Sequence, residues 1–194
     1  MESKELPKVA LIDADFLAYS VGFTTEDESE QIAKSRLTEW ITDIVYMDLQ
    51  CDDYKAYTTG KGNFRYDVAK TIPYKGNRKD SKKPKHLEAL MHHLERLGAV
   101  KVEGIEADDA VAMDSNKGSY WIVHVDKDLN QLPGWHYNPV KQERYYVSEQ
   151  EAAKSFWMQM LTGDRVDNIP GLAGIGPKKA EKILEDCVTY EDAY

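Results

Sequence analysis

The 194 residues, 42% of them hydrophobic, suffice for one α/β core with a small helical appendage. A formal net charge of -9 speaks at first sight against a nucleic-acid partner, while the two cysteines, Cys51 and Cys187, and the five histidines fit neither a disulfide framework nor a zinc-ligand spacing. The N-terminal residues 1–8 are polar and charged, and no apolar run reaches about 18 residues, so the expectation is a chain without secretory leader or membrane span, at home in a reducing cytosol.

Val9–Asp13 is a short apolar run that stops at an aspartate, the pattern of a buried strand. Residues 29–50 and 85–97 carry apolar positions at helical spacing, and Gly98 stops the second run. Residues 54–59 and 100–102 suit further strands, and 120–126 is a β-branched and aromatic run that again ends at an aspartate, Asp126. Strands alternating with helices predict a mainly parallel central sheet flanked by helices, and such sheets bind ligands beyond the carboxyl ends of their strands. Residues 60–85 show little periodicity and read as a long mobile loop or arch. Its second half sets Lys75, Arg78, Lys79, Lys82, Lys83 and Lys85 against Asp80 alone, which in isolation reads as a solvated loop. After a helix over 148–161, glycines and prolines at 163–177 precede a last helix over 178–185. The expected division is therefore an α/β core over 1–147 and a helical part over 148–194, with a helix-hairpin-helix element at about 163–186.

Close pairs of carboxylates recur. Glu106, Asp108 and Asp109 crowd one helix start, Asp126 and Asp128 follow a strand, and Asp164 and Asp167 follow a helix. Helix capping explains the first of these taken alone, but not the repetition. Nine converging carboxylates (Asp13, Asp67, Glu106, Asp108, Asp109, Asp126, Asp128, Asp164 and Asp167) would need cations to stay ionised, and setting them aside leaves the rest of the chain formally neutral. Oxygen-only donors suit Mg²⁺, with Mn²⁺ as a substitute, and two such ions about 4 Å apart serve phosphodiester hydrolysis.

Leu11-Ile12-Asp13, the run YKGNR over 74–78, Glu106-Ala107-Asp108-Asp109, Asp126-Lys127-Asp128 and the run GDRVDNIPGLAGIGPK over 163–178 occur in the order of the 5′ nuclease superfamily. Over residues 9–184 the chain resembles the phage 5′-3′ exonucleases and the 5′ nuclease domain of bacterial DNA polymerase I. The resemblance implies a structure-selective 5′-3′ exonuclease or flap endonuclease, working as a monomer on DNA with 5′ ends, flaps or nicks beside replication proteins. By it, Asp13, Glu106, Asp108 and Asp109 form an inner metal set to which Asp67 contributes, and Asp126, Asp128, Asp164 and Asp167 form a second. Lys75 and Arg78 sit at the base of a helical arch against the scissile phosphate, with Lys79, Lys82 and Lys83 as further DNA contacts. Tyr74 stacks on an unpaired base or packs in the core.

Gly171, Gly174, Ile175 and Gly176 shape a hairpin whose amides approach duplex backbone, helped by Lys178 and Lys179, and the family holds K⁺ on the hairpin carbonyls. Asp15 falls outside this set and suits a helix cap or an outer-shell water contact. A metal-dependent RNase, a catalytically silent DNA-binding module and a phosphoacceptor receiver domain are the competing readings; the last leaves the hairpin and basic arch unexplained.

Overall fold

The computed structural model describes residues 5–78 and 81–193. In chain order the elements are β1 (Val9–Asp13), α1 (Asp15–Thr24), α2 (Glu30–Thr42), β2 (Asp53–Thr59), α3 (Arg65–Val68), α4 (Leu87–Arg96), β3 (Val100–Val102), α5 (Ala107–Ser115), β4 (Trp121–Val123), β5 (Gly134–Asn138), β6 (Glu143–Val147), α6 (Glu149–Thr162), β7 (Gly163–Asp164), β8 (Ile169–Pro170) and α7 (Pro177–Asp186). They divide into two units. The first comprises 1–63, 82–125 and 134–146, and the second 64–81, 126–133 and 147–194.

The first unit is built on a six-stranded sheet in the order β3-β2-β1-β4-β5-β6. β1 pairs in parallel with β2 and β4, β2 with β3, and β4 with β5. The chain leaves β1 for one side of the sheet and later resumes at β4 on the other, so the order reverses between these two strands, the point beyond whose carboxyl ends such sheets bind ligands. Asp13 is the last residue of β1.

The apolar runs are buried as their composition requires: Ala10, Leu11 and Ile12 in β1 and Trp121, Ile122 and Val123 in β4 are at most 2% exposed. Phe16, Leu17 and Val21 of α1, Leu37 and Ile41 of α2, and Leu90 and Leu94 of α4 complete that core. Ser29 starts α2 by accepting the Ile32 amide on Oγ at 3.3 Å. The helix expected over 29–50 gives way after Thr42 to a wider π-type turn, Asp43–Asp48, that still buries Ile44 and Val45. β5 and β6, GWHYN and ERYYV, had no counterpart in the sequence reading. Their aromatic and polar alternation is too short to stand out, and His136, 0% exposed, is buried against His124 at 2.8 Å.

Asp114, near the end of α5, ties the helix to the sheet. Tyr57 Oη donates to it at 2.7 Å and Lys55 Nζ at 3.2 Å, and Lys117 closes on its other oxygen. Lys117 and then the Tyr57 hydroxyl hold its carboxyl well below the usual range, and burial, then the Asp114 bond, pushes Tyr57 up to about 12. A carboxylate lowered on folding stabilises the native state above its unfolded pKa of about 3.9, and that contribution is lost as pH falls below it toward the folded value. The lysines are exposed and add little, so the Tyr57 bond dominates, at about 1–2 kcal/mol. Asp114→Asn is therefore expected to lower unfolding free energy near neutral pH, with the gap to wild type closing below about pH 4; denaturant unfolding across pH checks this, and a gap that persists undiminished in acid contradicts it.

The second unit pairs α6 with α7 through Leu161, Ala180 and Leu184, flanked by Trp157, Met158, Ile175 and Ile183. A capping box starts α6: Ser148 Oγ accepts the Glu151 amide at 3.2 Å and Glu151 accepts the Ser148 amide at 2.8 Å. β7 and β8 pair antiparallel, Gly163 with Pro170 and Asp164 with Ile169. A Cβ at Gly171 would lie 2.2 Å from the Thr162 carbonyl carbon, and one at Gly163, whose φ is +69°, 2.2 Å from the Gly171 nitrogen. Two backbones thus meet where only hydrogens fit. Gly171→Ala is expected to destabilise the protein by about 1–3 kcal/mol by overpacking backbone against backbone. An unchanged melting temperature would show that the crossing yields.

Candidate metal centre and nucleic-acid interface

Asp13, Glu106, Asp108 and Asp109 fall in the first unit, and Asp67, Asp126, Asp128, Asp164 and Asp167 in the second. In the first unit Asp13 is half-buried at the end of β1, and α5, which starts at Ala107, packs on β1, β2 and β3. Capping is real here. Glu106 and Asp109 form a reciprocal box at the N-terminus of α5, with Asp109 Oδ2 accepting the Glu106 amide at 3.0 Å. Asp108, outside that box, accepts the Asp109 amide at 2.7 Å. Asn63 donates to Glu106 Oε1 at 2.7 Å and fixes a carboxylate that is 8% exposed. The helix dipole offsets part of the repulsion among the three acids, by about 0.3–1 kcal/mol per charge.

In the second unit one side chain gathers two carboxylates. Gln159 Nε2, on the last turns of α6, donates to Asp128 Oδ1 at 2.9 Å and to Asp164 Oδ2 at 3.0 Å. Asp126 caps the 3₁₀ turn Lys127–Gln131 by accepting the Asp128 amide at 3.0 Å. Burial first, then the charges of Asp126 and Asp164, push the Asp128 carboxyl up to about 6. For Asp164, 2% exposed, burial acts upward too, but the Val166 amide at 2.8 Å and Lys127 at 3.2 Å outweigh it and hold the carboxyl below its ordinary value. Gln159 and Lys127 were not singled out in the sequence. Gln159 lies five residues before Asp164, a spacing that signals nothing until α6 packs on the 3₁₀ turn.

Asp167, whose amide bonds to the Asp164 carboxylate, turns its own carboxylate to the basic segment. It accepts Arg78 Nη2 at 2.8 Å and the Tyr74 hydroxyl at 2.7 Å, with Lys75 Nζ 3.8 Å away. The start of the basic stretch, 73–78, is anchored: the Lys75 amide donates to the Asp167 carbonyl at 3.0 Å, Asn77 to the Arg165 carbonyl at 3.0 Å, Arg78 Nε to the Val166 carbonyl at 3.2 Å, and Asn168 to the Pro73 carbonyl at 2.9 Å. These bonds hold Lys75 and Asn168 at positive φ, 51° and 62°, a conformation non-glycine residues otherwise avoid.

Of the two readings of Tyr74, packing is the one observed: the ring is 6% exposed and meets Tyr66 edge-on at 5.5 Å. Exposed aromatics near Tyr74 in the sequence are Phe64 and Tyr66 around α3, at 46% and 59%, with Arg65 over the Phe64 ring at 5.0 Å. Asp67, on the same short helix, is exposed. Lys82 and Lys83 belong to the first unit and are exposed, Lys82 pairing with Glu26 at 2.6 Å. Lys79 lies outside the described residues.

Gly174 adopts φ +77° with open space where a Cβ would stand. Gly176 caps α7, Pro177 opens it, and Ile175 packs against the α6–α7 core. Lys178 is exposed, while Lys179 Nζ donates to the Gly174 carbonyl at 2.9 Å and so takes one of the carbonyls expected to hold K⁺. Asp15 does not cap α1. The cap position is Ala14, without a side-chain bond, and Asp15 Oδ1 accepts the Thr59 amide at 3.0 Å.

No group of three or more His, Cys, Asp or Glu side chains is arranged to hold a metal ion among the described residues. The donor chemistry nonetheless fits a hard divalent cation: each set is oxygen-only, and after burial it is the neighbouring charges of Asp126 and Asp164 that raise Asp128, a repulsion such a cation relieves.

A mainly parallel sheet flanked by helices, with an acid at the end of β1 beside the point where the strand order reverses, places the first unit among the open α/β folds. No protein-family model matches the chain. It is 32% identical over 158 residues to DNA polymerase I of Deinococcus radiodurans, covering 74% of this chain and 15% of that protein. It is 36% identical over 104 residues to DNA polymerase I of Rhizobium leguminosarum, covering 46% and 10%. The chain thus spans less than a sixth of the length of either relative. Among solved structures, a bacteriophage T5 flap endonuclease in a pseudo-enzyme-product complex with DNA and metal ions superposes with a TM-score of 0.71 at 17% identity, covering 92% of this chain and 74% of that one. The chain is thus similar in sequence to part of DNA polymerase I and shares the fold of the T5 flap endonuclease. Among the described residues no helix is long and apolar enough to cross a membrane.

Proposed function

We propose that the protein is a divalent-metal-dependent 5′ nuclease that hydrolyses phosphodiester bonds of DNA at or near 5′ ends, as exonuclease, flap endonuclease or both. The observation that carries this reading is the single Gln159 amide bonded to both Asp128 and Asp164, with Asp126 beside them. Such crowding of carboxylates costs stability unless a cation occupies it. Asp13, Glu106, Asp108 and Asp109 offer a second oxygen-only set. Bound Mg²⁺ or Mn²⁺, two or more ions, would supply an activated water and stabilise the leaving oxygen. The protein's own groups do the rest. Lys75 and Arg78 bind the phosphate and offset developing charge, held in position by Asp167 and the Tyr74 hydroxyl. Phe64 and Tyr66 offer exposed faces on which unpaired bases stack, each at about 1–3 kcal/mol.

The hairpin at 171–176 and Lys178 grip duplex backbone without reading sequence. Gly174→Asp puts a negative charge in open space, in a backbone conformation that aspartate tolerates better than most residues. It is expected to weaken duplex binding while leaving metal affinity intact, and unchanged affinity would remove the hairpin from the DNA interface. A monomer acting in the cytosol beside replication proteins, with K⁺ at the hairpin, completes the proposal and follows from family resemblance.

The test is cleavage of 5′- and 3′-labelled flap, nicked-duplex and RNA substrates with Mg²⁺ or with EDTA. Mg²⁺-dependent release of short products from DNA 5′ ends is the expected result. Cleavage of RNA alone would make the protein an RNase, and no cleavage a binding module.

A further inference from the structure

A hydrogen-bond relay runs from α1 through β2 into α5. Asp15 Oδ1 accepts the Thr59 amide at 3.0 Å, and Thr59 Oγ1 accepts the Ala107 amide at 2.9 Å. Ala107 is the first residue of α5 and 1% exposed, between Glu106 and the Asp108–Asp109 pair. Its amide is one of the first-turn donors that a helix leaves without an intrahelical partner. Two further backbone bonds fix the same junction: Ala14 donates to the Tyr57 carbonyl at 2.9 Å and Gly60 to the Val102 carbonyl at 2.8 Å. The end of β2 is thus pinned on one side to the turn that follows Asp13 and on the other to the helix carrying Glu106, Asp108 and Asp109.

We propose that Asp15 is a positioning residue. Through Thr59, it sets the first turn of α5, and hence the three carboxylates there, relative to Asp13 at the end of β1. The side chain acts as a hydrogen-bond acceptor rather than as a metal donor, so its shape and not its charge matters. The inference rests on the metal-binding reading of Asp13, Glu106, Asp108 and Asp109. Groups that orient metal ligands from behind change metal affinity by about 10–100-fold when removed.

The experiment measures Mn²⁺ binding to the purified protein by electron paramagnetic resonance, with exchange of the Ala107 amide followed by NMR without metal. Asp15→Ala and Thr59→Val should each weaken Mn²⁺ binding about tenfold and speed Ala107 exchange, and the double variant should lose little more than the worse single. Asp15→Asn and Thr59→Ser, which keep the acceptors, should stay within about threefold of wild type, and the Thr59 pair carries the comparison if Asp15→Ala fails to fold. Asp15→Asn as weak as Asp15→Ala would make the charge the active property and overturn the proposal, as would additive losses or unchanged Ala107 exchange. Wild-type protein that binds no Mn²⁺ would sink the metal-site reading and the relay's role with it. Wild-type binding left untouched in Asp15→Ala would sink the relay alone.

Discussion

Asp108→Ala is expected to lower the rate of DNA cleavage by at least about a hundredfold while leaving the fold and metal-free DNA binding unchanged. The selectivity follows from the local hydrogen bonds at the start of α5. Glu106 and Asp109 hold the reciprocal cap, so removing either would cost about 1 kcal/mol of helix stability besides any effect on chemistry. Asp108 lies outside the box, at a helical position where alanine is well tolerated. Its loss removes a favourable charge–dipole contact and relieves like-charge repulsion, terms of similar size and opposite sign. A ligand that helps to hold a Lewis-acidic ion supports several kcal/mol of transition-state stabilisation, and 1.36 kcal/mol is a factor of ten in rate. Three measurements separate the outcomes: single-turnover cleavage in Mg²⁺, duplex binding in EDTA, and thermal unfolding. Cleavage at the wild-type rate would remove Asp108 from the metal set. A parallel loss of binding in EDTA would make it a DNA-contacting residue.

The parts of this site legible in the sequence were those that lie along the chain. β1 and β4 declared themselves because continuous apolar runs buried on both faces end abruptly near an acid, and β2 and β3 fell where β-branched and aromatic residues cluster. The acidic pairs were visible as spacings. Contacts between distant segments were not. Lys127, Gln159 and Asn63 bind the acids, yet an amide inside a helix or loop has no signature until tertiary packing selects its partner. Tyr74 illustrates the same limit: stacking and packing suit a tyrosine equally well, and only the burial of its ring against Tyr66 and the bond to Asp167 decide between them. The acid Asp15 suited a helix cap, but the strand beside it presented the Thr59 amide, and the local role lost to the long-range one.

The segment from Pro73 to Arg78 matters most among these long-range features, because it raises the question of what Lys75 neutralises. In the structure its ammonium lies 3.8 Å from Asp167 and 5.0 Å from the centre of the Tyr74 ring, so a purely structural role, balancing a partly buried carboxylate, is the competing account. The two accounts predict different responses to a second substitution. If Lys75 offsets charge on the phosphate in the transition state, Lys75→Ala should lower kcat by about 10²–10³-fold with little change in KM. Asp167→Asn should then fail to rescue it. If Lys75 serves only Asp167, the double variant should recover most of the activity, since the charge that needed balancing is gone. Arg78, bonded to the same carboxylate at 2.8 Å through its guanidinium and to the Val166 carbonyl at 3.2 Å, keeps the segment docked in either single variant. Collapse of the fold is therefore not expected to blur the comparison, and thermal unfolding of all three variants checks that directly. An unrescued double variant, with Asp167→Asn alone still active, leaves the phosphate as the partner of Lys75.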